Sequence, residues 1–135
     1  MTKQEIISKV KELNLPKGQY IVFGSCPLAI LGIRESNDID LLVSAELKEK
    51  LKEAGWKELE KSPNDIPLVH DVFEAHDNWN FSSYRPTLED LLATAMEVEG
   101  IPFASLEEVH KWKAEGERAK DIADMELIEK YLSNK

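Results

Sequence analysis

A strand-turn-helix pattern around Gly24-Ser25 most constrains how this chain can fold. Residues 20–23 are β-branched or aromatic and predict a short buried strand that stops at Gly24. Residues 27–31 begin with proline, continue with apolar residues and predict a short helix that ends at Gly32. Glycine lets the backbone approach a ligand, a serine hydroxyl forms hydrogen bonds, and helix N-termini favour anions. The pattern therefore predicts a phosphate site at Gly24-Ser25.

Two aspartates, Asp38 and Asp40, precede the apolar residues Leu41, Leu42 and Val43. This run predicts a second strand, and side chains alternate between the faces of a strand, so both carboxylates point the same way. Two ionised carboxylates at short range repel one another, and a divalent cation relieves that repulsion. Mg²⁺ takes few protein carboxylates and fills its other positions with water and substrate phosphates. We therefore expect Asp38 and Asp40 to bind Mg²⁺ or Mn²⁺ beside the phosphate site.

Composition limits the classes of function. The chain has 135 residues, of which 42% are hydrophobic, so we expect a single domain spanning residues 1–135. The formal net charge of −9 excludes a general electrostatic footprint for nucleic acid. The single cysteine, Cys26, cannot form an internal disulfide. Thr2 and Glu5 read as a helix capping box rather than a signal peptide, and no apolar run reaches membrane-span length, so we expect a cytoplasmic protein without a membrane segment.

Around the Gly24-Ser25 turn and the aspartates Asp38 and Asp40, the sequence resembles the DNA polymerase β nucleotidyltransferase superfamily. The matching motifs are Phe23-Gly24-Ser25 and Asp38-Ile39-Asp40. Within the superfamily the chain is most similar to small prokaryotic proteins of the AbiEii-related and minimal nucleotidyltransferase type, whose pattern Gly32, Arg34 and residues 38–42 also fit. Residues 100–124 are similar to the C-terminal stretch of the same group, and the middle of the chain matches loosely.

The resemblance implies both a fold and an activity. The implied fold is α+β, a mixed β-sheet flanked by helices, of the nucleotidyltransferase type. The implied activity is Mg²⁺-dependent (or Mn²⁺-dependent) transfer of an NMP from an NTP to a hydroxyl acceptor, with release of pyrophosphate. The acceptor stays open between a small molecule, an RNA end and a protein hydroxyl.

The resemblance also implies a third carboxylate on a later strand. Asp71 is the candidate, because residues 67–73 alternate in a β-compatible way and a charged residue inside a strand is costly to bury without a partner. With Asp38 and Asp40 it would form the catalytic, metal-binding set. The alternative places Asp71 on a solvent-facing edge, with Glu74 and Asp65 as the fallback carboxylates.

Cations near the triphosphate are expected to neutralise its charge. The alternative for those in the C-terminal block is an ordinary salt-bridged helix face. The nucleotide-binding candidates are Gly24, Ser25, Arg34, Lys113, Arg118 and Lys120.

The remaining pattern alternates helices with strands and loops. The predicted helices cover residues 5–13, residues 46–54 with Ser44 as the cap, and the stretch that Thr87 caps and that runs to residue 97. A further helix begins at Ser105 and breaks near residues 115–116 before a last helix. A short strand covers 101–103, and loops cover 61–66 and 75–86.

The same residues also allow other functions. One is a catalytically idle domain that binds a nucleotide or a protein partner, for example as a toxin-antitoxin component. A metal-dependent glycosyltransferase and a plain structural domain are weaker alternatives. His70 and His76 each stand near aspartates without the helical placement of an HD-type metal site, and His110 reads as a surface residue. The three tryptophans, Trp56, Trp79 and Trp112, read most simply as packing residues.

Overall fold

The structure is a computed structural model that describes residues 1–116 and 118–134. Within these residues there are six helices and seven strands. In chain order they are α1 (Lys3–Leu13), β1 (Tyr20–Phe23), α2 (Cys26–Ile30), β2 (Ile39–Val43), α3 (Ala45–Glu53), β3 (Lys57–Glu58), β4 (Leu68–His70), β5 (Phe73–His76), α4 (Leu88–Ala93), β6 (Met96–Val98), β7 (Ile101–Phe103), α5 (Leu106–Gly116) and α6 (Ala119–Ser133).

All seven strands form one mixed sheet in the order β3-β4-β5-β2-β1-β7-β6. The β1–β2, β3–β4, β4–β5 and β6–β7 pairs are antiparallel, whereas β2–β5 and β1–β7 are parallel. The predicted α+β class with a mixed sheet and flanking helices is confirmed. Within the described residues, no helix is both long and apolar enough to cross a lipid bilayer.

Helices cover both faces of the sheet, and strand alternation decides which side chain enters which core. Tyr20 and Val22 point to the core formed with α1, α2 and α3. Ile21 and Phe23 point to the opposite core, which includes residues of α4, α5 and α6. Burial of the apolar face of each helix, rather than intrinsic helix propensity, stabilises elements as short as these.

Several local predictions are confirmed. Thr2 and Glu5 form the predicted capping box at the start of α1. Ser44 caps α3 and Thr87 caps α4 through their side-chain oxygens. The break near residues 115–116 is present, because α5 ends at Gly116.

The predicted helix over 87–97 was wrong in its second half. The helix α4 ends at Ala93, and β6 follows at Met96 and pairs with β7. Glu99 and Gly100 join these strands with φ of 51° and 82°, as in a two-residue hairpin turn with both central residues left-handed. This turn reverses the chain, so a stretch whose apolar pattern predicts a helix forms a strand instead.

The predicted single strand over 67–73 was also wrong. The chain forms β4, reverses at Asp71-Val72, and returns as β5, with His70 opposite Phe73. Asp71 has a φ of 53°, a left-handed conformation that aspartate tolerates better than most residues. Asp71 therefore lies in a turn, outside the strand on which it was expected.

Candidate functional site

A cleft of about 630 Å³ opens on the face of the sheet covered by α5 and α6. This volume lies within the usual range for small-molecule sites. Five basic and five acidic residues line it, although the chain as a whole has 17 basic and 26 acidic residues. The cleft is therefore locally neutral in an acidic protein, which permits it to hold a phosphorylated ligand.

The floor of the cleft is formed by β2 and β5, which run parallel. Asp40 and Glu74 are direct partners in the register of these strands. His76 follows two residues after Glu74, so its side chain emerges on the same face. One ligand atom from each of Asp40, Glu74 and His76 lies within 4.8 Å of the others. Two strands distant in sequence thus bring three metal-ligating groups together.

Gly24 provides the space that the Asp40 carboxylate occupies. Phe23 is the antiparallel partner of Asp40, so the chain turns at Gly24 directly beside it. Gly24 has a φ of 68°, and a Cβ atom at this position would overlap Asp40 Oδ2. A residue with a side chain is therefore disfavoured here both by conformation and by space. The close contact at Gly24 is therefore with Asp40, and the approach of a phosphate to this backbone stays a prediction.

The carboxylate of Asp40 is electrostatically stressed without a cation. Burial first, and then the charges of Asp38 and Glu74, raise the pKa of Asp40 to about 7. Asp38 is exposed, directly precedes β2 and lines the same cleft. Glu74 Oε1 is 2.5 Å from Lys61 Nζ. The lysine thus partly neutralises this cluster from the loop between β3 and β4.

His76 is held in place on two sides. Its Nδ1 is 3.5 Å from Asp65 Oδ1, and its Nε2 is 3.5 Å from Glu74 Oε1. Its ring meets that of Trp79 edge to face, with centroids 5.0 Å apart. Burial, opposed by Asp65 and Glu74, lowers the pKa of His76, which favours a neutral imidazole able to bind a metal.

This donor set fits the divalent cation that the fold type implies. A metal with ligand bonds of about 2.1 Å separates opposite ligand atoms by about 4.2 Å, which the cluster of Asp40, Glu74 and His76 can satisfy with small adjustments. A cation would also relieve the repulsion that raises the pKa of Asp40. Asp38 lies close enough to act on Asp40 and supplies a further carboxylate at the rim.

Ser25 faces the cleft with its hydroxyl engaged by Arg34. Ser25 makes no side-chain cap hydrogen bond to α2, and Arg34 Nη2 donates to Ser25 Oγ at 2.7 Å. The helix α2 has five residues, so the helix dipole contributes less to the anion site than the sequence suggested. The hydroxyl, the backbone and Arg34 are the groups that remain to contact a phosphate.

Arg34 and Lys113 share one buried carboxylate. Arg34 Nε and Nη2 donate to the two oxygens of Asp124, both at 2.7 Å. Lys113 Nζ lies 2.8 Å from Asp124 Oδ2 and 3.7 Å from Asp121 Oδ1, with side chains at most 5% exposed. Burial tends to raise the pKa of Asp124, but the hydrogen bonds from Arg34 and Lys113 hold it below its usual value. This network fixes α5 and α6 against the Gly24-Ser25 turn.

Arg118 and Lys120 stand where α5 passes into α6. Arg118 pairs with Asp121, whose Oδ2 is 2.7 Å from Arg118 Nε. Lys120 is exposed and lines the cleft, and it makes no ion pair with any residue in 1–116 or 118–134. Of the predicted cations, Arg34, Lys113, Arg118 and Lys120 all line the cleft, and the first three are already paired with aspartates.

Asp71 lies outside this cleft. Its side chain is 52% exposed, and Lys9 Nζ donates to Asp71 Oδ2 at 2.8 Å. The hydrogen bond from Lys9 lowers the pKa of Asp71. Asp71 is not among the residues that line the cleft with Asp38 and Asp40, and its carboxylate pairs with Lys9, so the structure does not bring it into the expected metal set. The fallback residue Glu74 occupies the position beside Asp40.

Sequence reasoning set His76 aside and overlooked Lys61. The signal for His76 was its spacing of two from Glu74, which matters only once β5 is recognised as a strand. The aromatic residues form the side wall of the cleft, as packing residues. Phe23 stacks on Trp79 at 4.7 Å, and Trp79 contacts Trp112 at 5.0 Å between ring centroids.

Three solved structures have a similar architecture. The candidate nucleotidyltransferase TM1012 from Thermotoga maritima is 20% identical, with 100% of this chain and 97% of that chain covered and a TM-score of 0.60. ANT(2″)-Ia in complex with adenylyl-2″-tobramycin is 18% identical, with 96% and 86% covered and a TM-score of 0.56. The solution structure of the antibiotic-resistance factor ANT(2″)-Ia is 18% identical, with 96% and 81% covered and a TM-score of 0.54.

The chain has the nucleotidyltransferase fold. Neither a protein-family model nor a curated protein sequence matches the chain. Because one fold supports many activities, the activity within the nucleotidyltransferase fold must be argued from the cleft itself.

Proposed function

We propose that this protein is a divalent-metal-dependent nucleotidyltransferase that transfers an NMP from an NTP to a hydroxyl acceptor. The observation that carries the proposal is the cross-strand pair Asp40 and Glu74, which lies on the cleft floor beside the Gly24-Ser25 turn. Asp38 adds a third carboxylate at the same end of β2. Carboxylates grouped beside a turn expected to bind phosphate, and beside several cations, suit a metal-assisted phosphoryl transfer.

The residues of the cleft divide into two groups with different tasks. Asp38, Asp40 and Glu74 would hold Mg²⁺ or Mn²⁺, which supplies charge neutralisation at the triphosphate. The Gly24-Ser25 turn, Arg34 and Lys120 would position the phosphate oxygens, because Ser25 and both cations line the same cavity. Lys113 and Arg118 support this group through the aspartates to which they are bound.

The reaction itself needs few protein groups. The acceptor oxygen attacks the α-phosphorus, the bond to the pyrophosphate oxygen breaks, and the acceptor proton passes to a carboxylate of the cleft. Glu74 is the candidate for that proton, in the place first expected for Asp71. Cleft residues therefore act mainly by positioning and electrostatics.

The finer assignment rests on sequence. The resemblance to AbiEii-related and minimal nucleotidyltransferases supports a small cytoplasmic enzyme acting on an NTP, and a toxin-antitoxin role is part of the same inference. ANT(2″)-Ia, with its adenylyl-2″-tobramycin complex, makes a small-molecule hydroxyl the first acceptor class to test. The alternative of an idle nucleotide-binding domain is favoured by the pairing of Arg34, Lys113 and Arg118 with aspartates, which leaves fewer charges for a triphosphate.

A transfer screen separates the two functions. Each of the four NTPs, labelled at the α-phosphate, is incubated with Mg²⁺ or Mn²⁺ and a panel of small hydroxyl compounds, RNA ends and protein extract. The proposal expects label transfer by the wild type and a loss of at least about a hundredfold in Asp40→Asn. Metal-dependent NTP binding with no transfer in any arm contradicts the enzyme and supports the idle domain.

A further inference from the structure

We propose that His76 is a ligand of the cation and that this histidine makes the site prefer a first-row transition-metal ion, such as Mn²⁺, to Mg²⁺. This inference rests on the proposed function, because it places the same cation on Asp40 and Glu74. It goes further by adding a nitrogen ligand to a set that the sequence described with carboxylates alone.

The first support is geometric. Asp40, Glu74 and His76 are the residues within 1–116 and 118–134 whose metal-ligating atoms converge to within 4.8 Å in a group of three. Asp40 and Glu74 are fixed by the parallel register of β2 and β5. His76 shares a strand face with Glu74, and its Nε2 faces Glu74 Oε1 at 3.5 Å. The imidazole therefore needs no backbone movement to reach a cation held by the two carboxylates.

The second support is the orientation of the ring. Asp65 Oδ1 lies 3.5 Å from Nδ1, on the side of the ring away from Glu74. Trp79 packs edge to face against the ring at 5.0 Å and limits its rotation. A carboxylate behind a histidine fixes the tautomer whose other nitrogen carries a free lone pair, and this arrangement accompanies most metal-bound histidines. The histidine side chain is 13% exposed, so water competes little for that nitrogen.

The third support is the chemistry of the donors. Oxygen ligands suit Mg²⁺, whereas imidazole binds transition metals and adds little to Mg²⁺ affinity. Mn²⁺ accepts carboxylate oxygen together with imidazole nitrogen and can keep positions for phosphate oxygens. A mixed set of two carboxylates and one histidine therefore discriminates among divalent ions in a way that three carboxylates do not.

His70 provides a matched control for His76. It lies at the end of β4, is exposed, and stacks on Trp56 with ring centroids 5.2 Å apart. It is not among the residues that line the cleft. Exchange of either histidine for glutamine removes one imidazole from the same hairpin, but only His76→Gln removes one from the cleft.

Metal binding to the EDTA-stripped protein tests the inference without any measurement of activity. Calorimetric titration should give Mn²⁺ affinity at least about tenfold above Mg²⁺ affinity in the wild type and in His70→Gln. In His76→Gln, Mn²⁺ affinity should fall about tenfold to a hundredfold, with Mg²⁺ affinity changed less than about threefold. Equal losses for both metals, or equal affinities in the wild type, would overturn the role of His76.

Pulsed EPR of the Mn²⁺ complex provides a second readout, and its wild-type spectrum does not depend on the folding of a variant. Wild type and His70→Gln should show a nitrogen coupling from a directly bound imidazole, and His76→Gln should not. A wild-type Mn²⁺ complex without nitrogen coupling contradicts the inference. If Asp40→Asn still abolishes binding of both metals in that case, the proposed function stands; if Asp40→Asn binds both metals normally, the proposed site fails as well.

Discussion

Asp40 and Glu74 face each other across the parallel pair of β2 and β5. The two strands are joined by a long connection that includes α3 and the hairpin β3–β4, so their proximity is a property of the sheet and not of local sequence. Placing two carboxylates side by side on a buried floor opposes folding in the absence of a cation.

The first prediction concerns the pH dependence of stability without metal. The pKa of Asp40 is raised from 3.8 to about 7, so the folded protein retains a proton that the unfolded chain releases. The resulting stabilisation is fully present below about pH 4 and is lost as the pH rises through about 7. It amounts to roughly 4 kcal/mol at most.

Urea unfolding in EDTA measures this effect against Asp40→Asn. The variant lacks the titrating carboxylate, so the wild type should lose more stability than the variant between pH 4 and pH 8. Asp40→Asn should be the more stable protein at pH 8. If the unfolding free energies of the two proteins changed with pH in the same way, the proton on Asp40 would not be linked to folding.

Gly24→Ala tests the close approach at the phosphate turn. The substitution forces a side chain into a left-handed backbone and into the Asp40 carboxylate. Gly32→Ala is the matched control, because Gly32 has a φ of 74° but no atom within 4 Å of the added Cβ. Both should lose about 1–2 kcal/mol from conformation, and Gly24→Ala should lose more and bind metal more weakly. Equal unfolding free energies and intact metal binding in both variants would contradict a tight turn around Asp40.

The elements confined to a short segment were predictable from sequence. The Gly24-Ser25 turn and the Thr2 capping box each depend on a few neighbouring residues, and both appear where expected. The strand predicted at Asp71 was wrong because the hairpin turn interrupts an alternating run and contains no glycine that would mark it. Glu74 and His76 depend on strand pairing across the sheet, and a single sequence does not encode that pairing in any local pattern.

The buried charges at α5 and α6 illustrate the same limit. Lys113 was predicted to be a cation of the site, but its pairing with Asp124 requires the two helices to pack. The residue that joins Lys113 to Arg34 lies 90 positions from the arginine. Such contacts are set by tertiary packing, which local propensity does not reveal.

Removal of Asp124 should destabilise the protein strongly. Asp124→Asn leaves the buried Lys113 with the more distant Asp121 and leaves Arg34 without its bidentate partner. Loss of one partner from a buried ion pair costs about 3 kcal/mol. Asp77→Asn is the comparison, because its pair with Lys48 is more exposed and should be worth at most about 1 kcal/mol. Similar unfolding free energies for the two variants would show that the buried network contributes no more than a surface pair.

Lys61→Gln should strengthen the binding of metal and weaken the binding of nucleotide. Lys61 lies 2.5 Å from Glu74 and occupies the cleft with a positive charge. Removing that charge should tighten the binding of Mn²⁺ alone by about threefold to tenfold, since it lowers electrostatic competition. Titration of metal, and then of NTP at saturating metal, measures both effects. Weaker Mn²⁺ binding in Lys61→Gln would mean that the lysine supports the site instead of competing with the cation.

The most direct test of the account compares two carboxylates of the same hairpin, Glu74 and Asp71. Transfer of labelled NMP is measured for wild type, Glu74→Gln and Asp71→Asn, with circular dichroism to confirm that each variant is folded. The account predicts a loss of at least about a hundredfold in Glu74→Gln and near wild-type transfer in Asp71→Asn, which removes only the exposed pair with Lys9. Loss of transfer in Asp71→Asn with activity retained in Glu74→Gln would contradict the site described here.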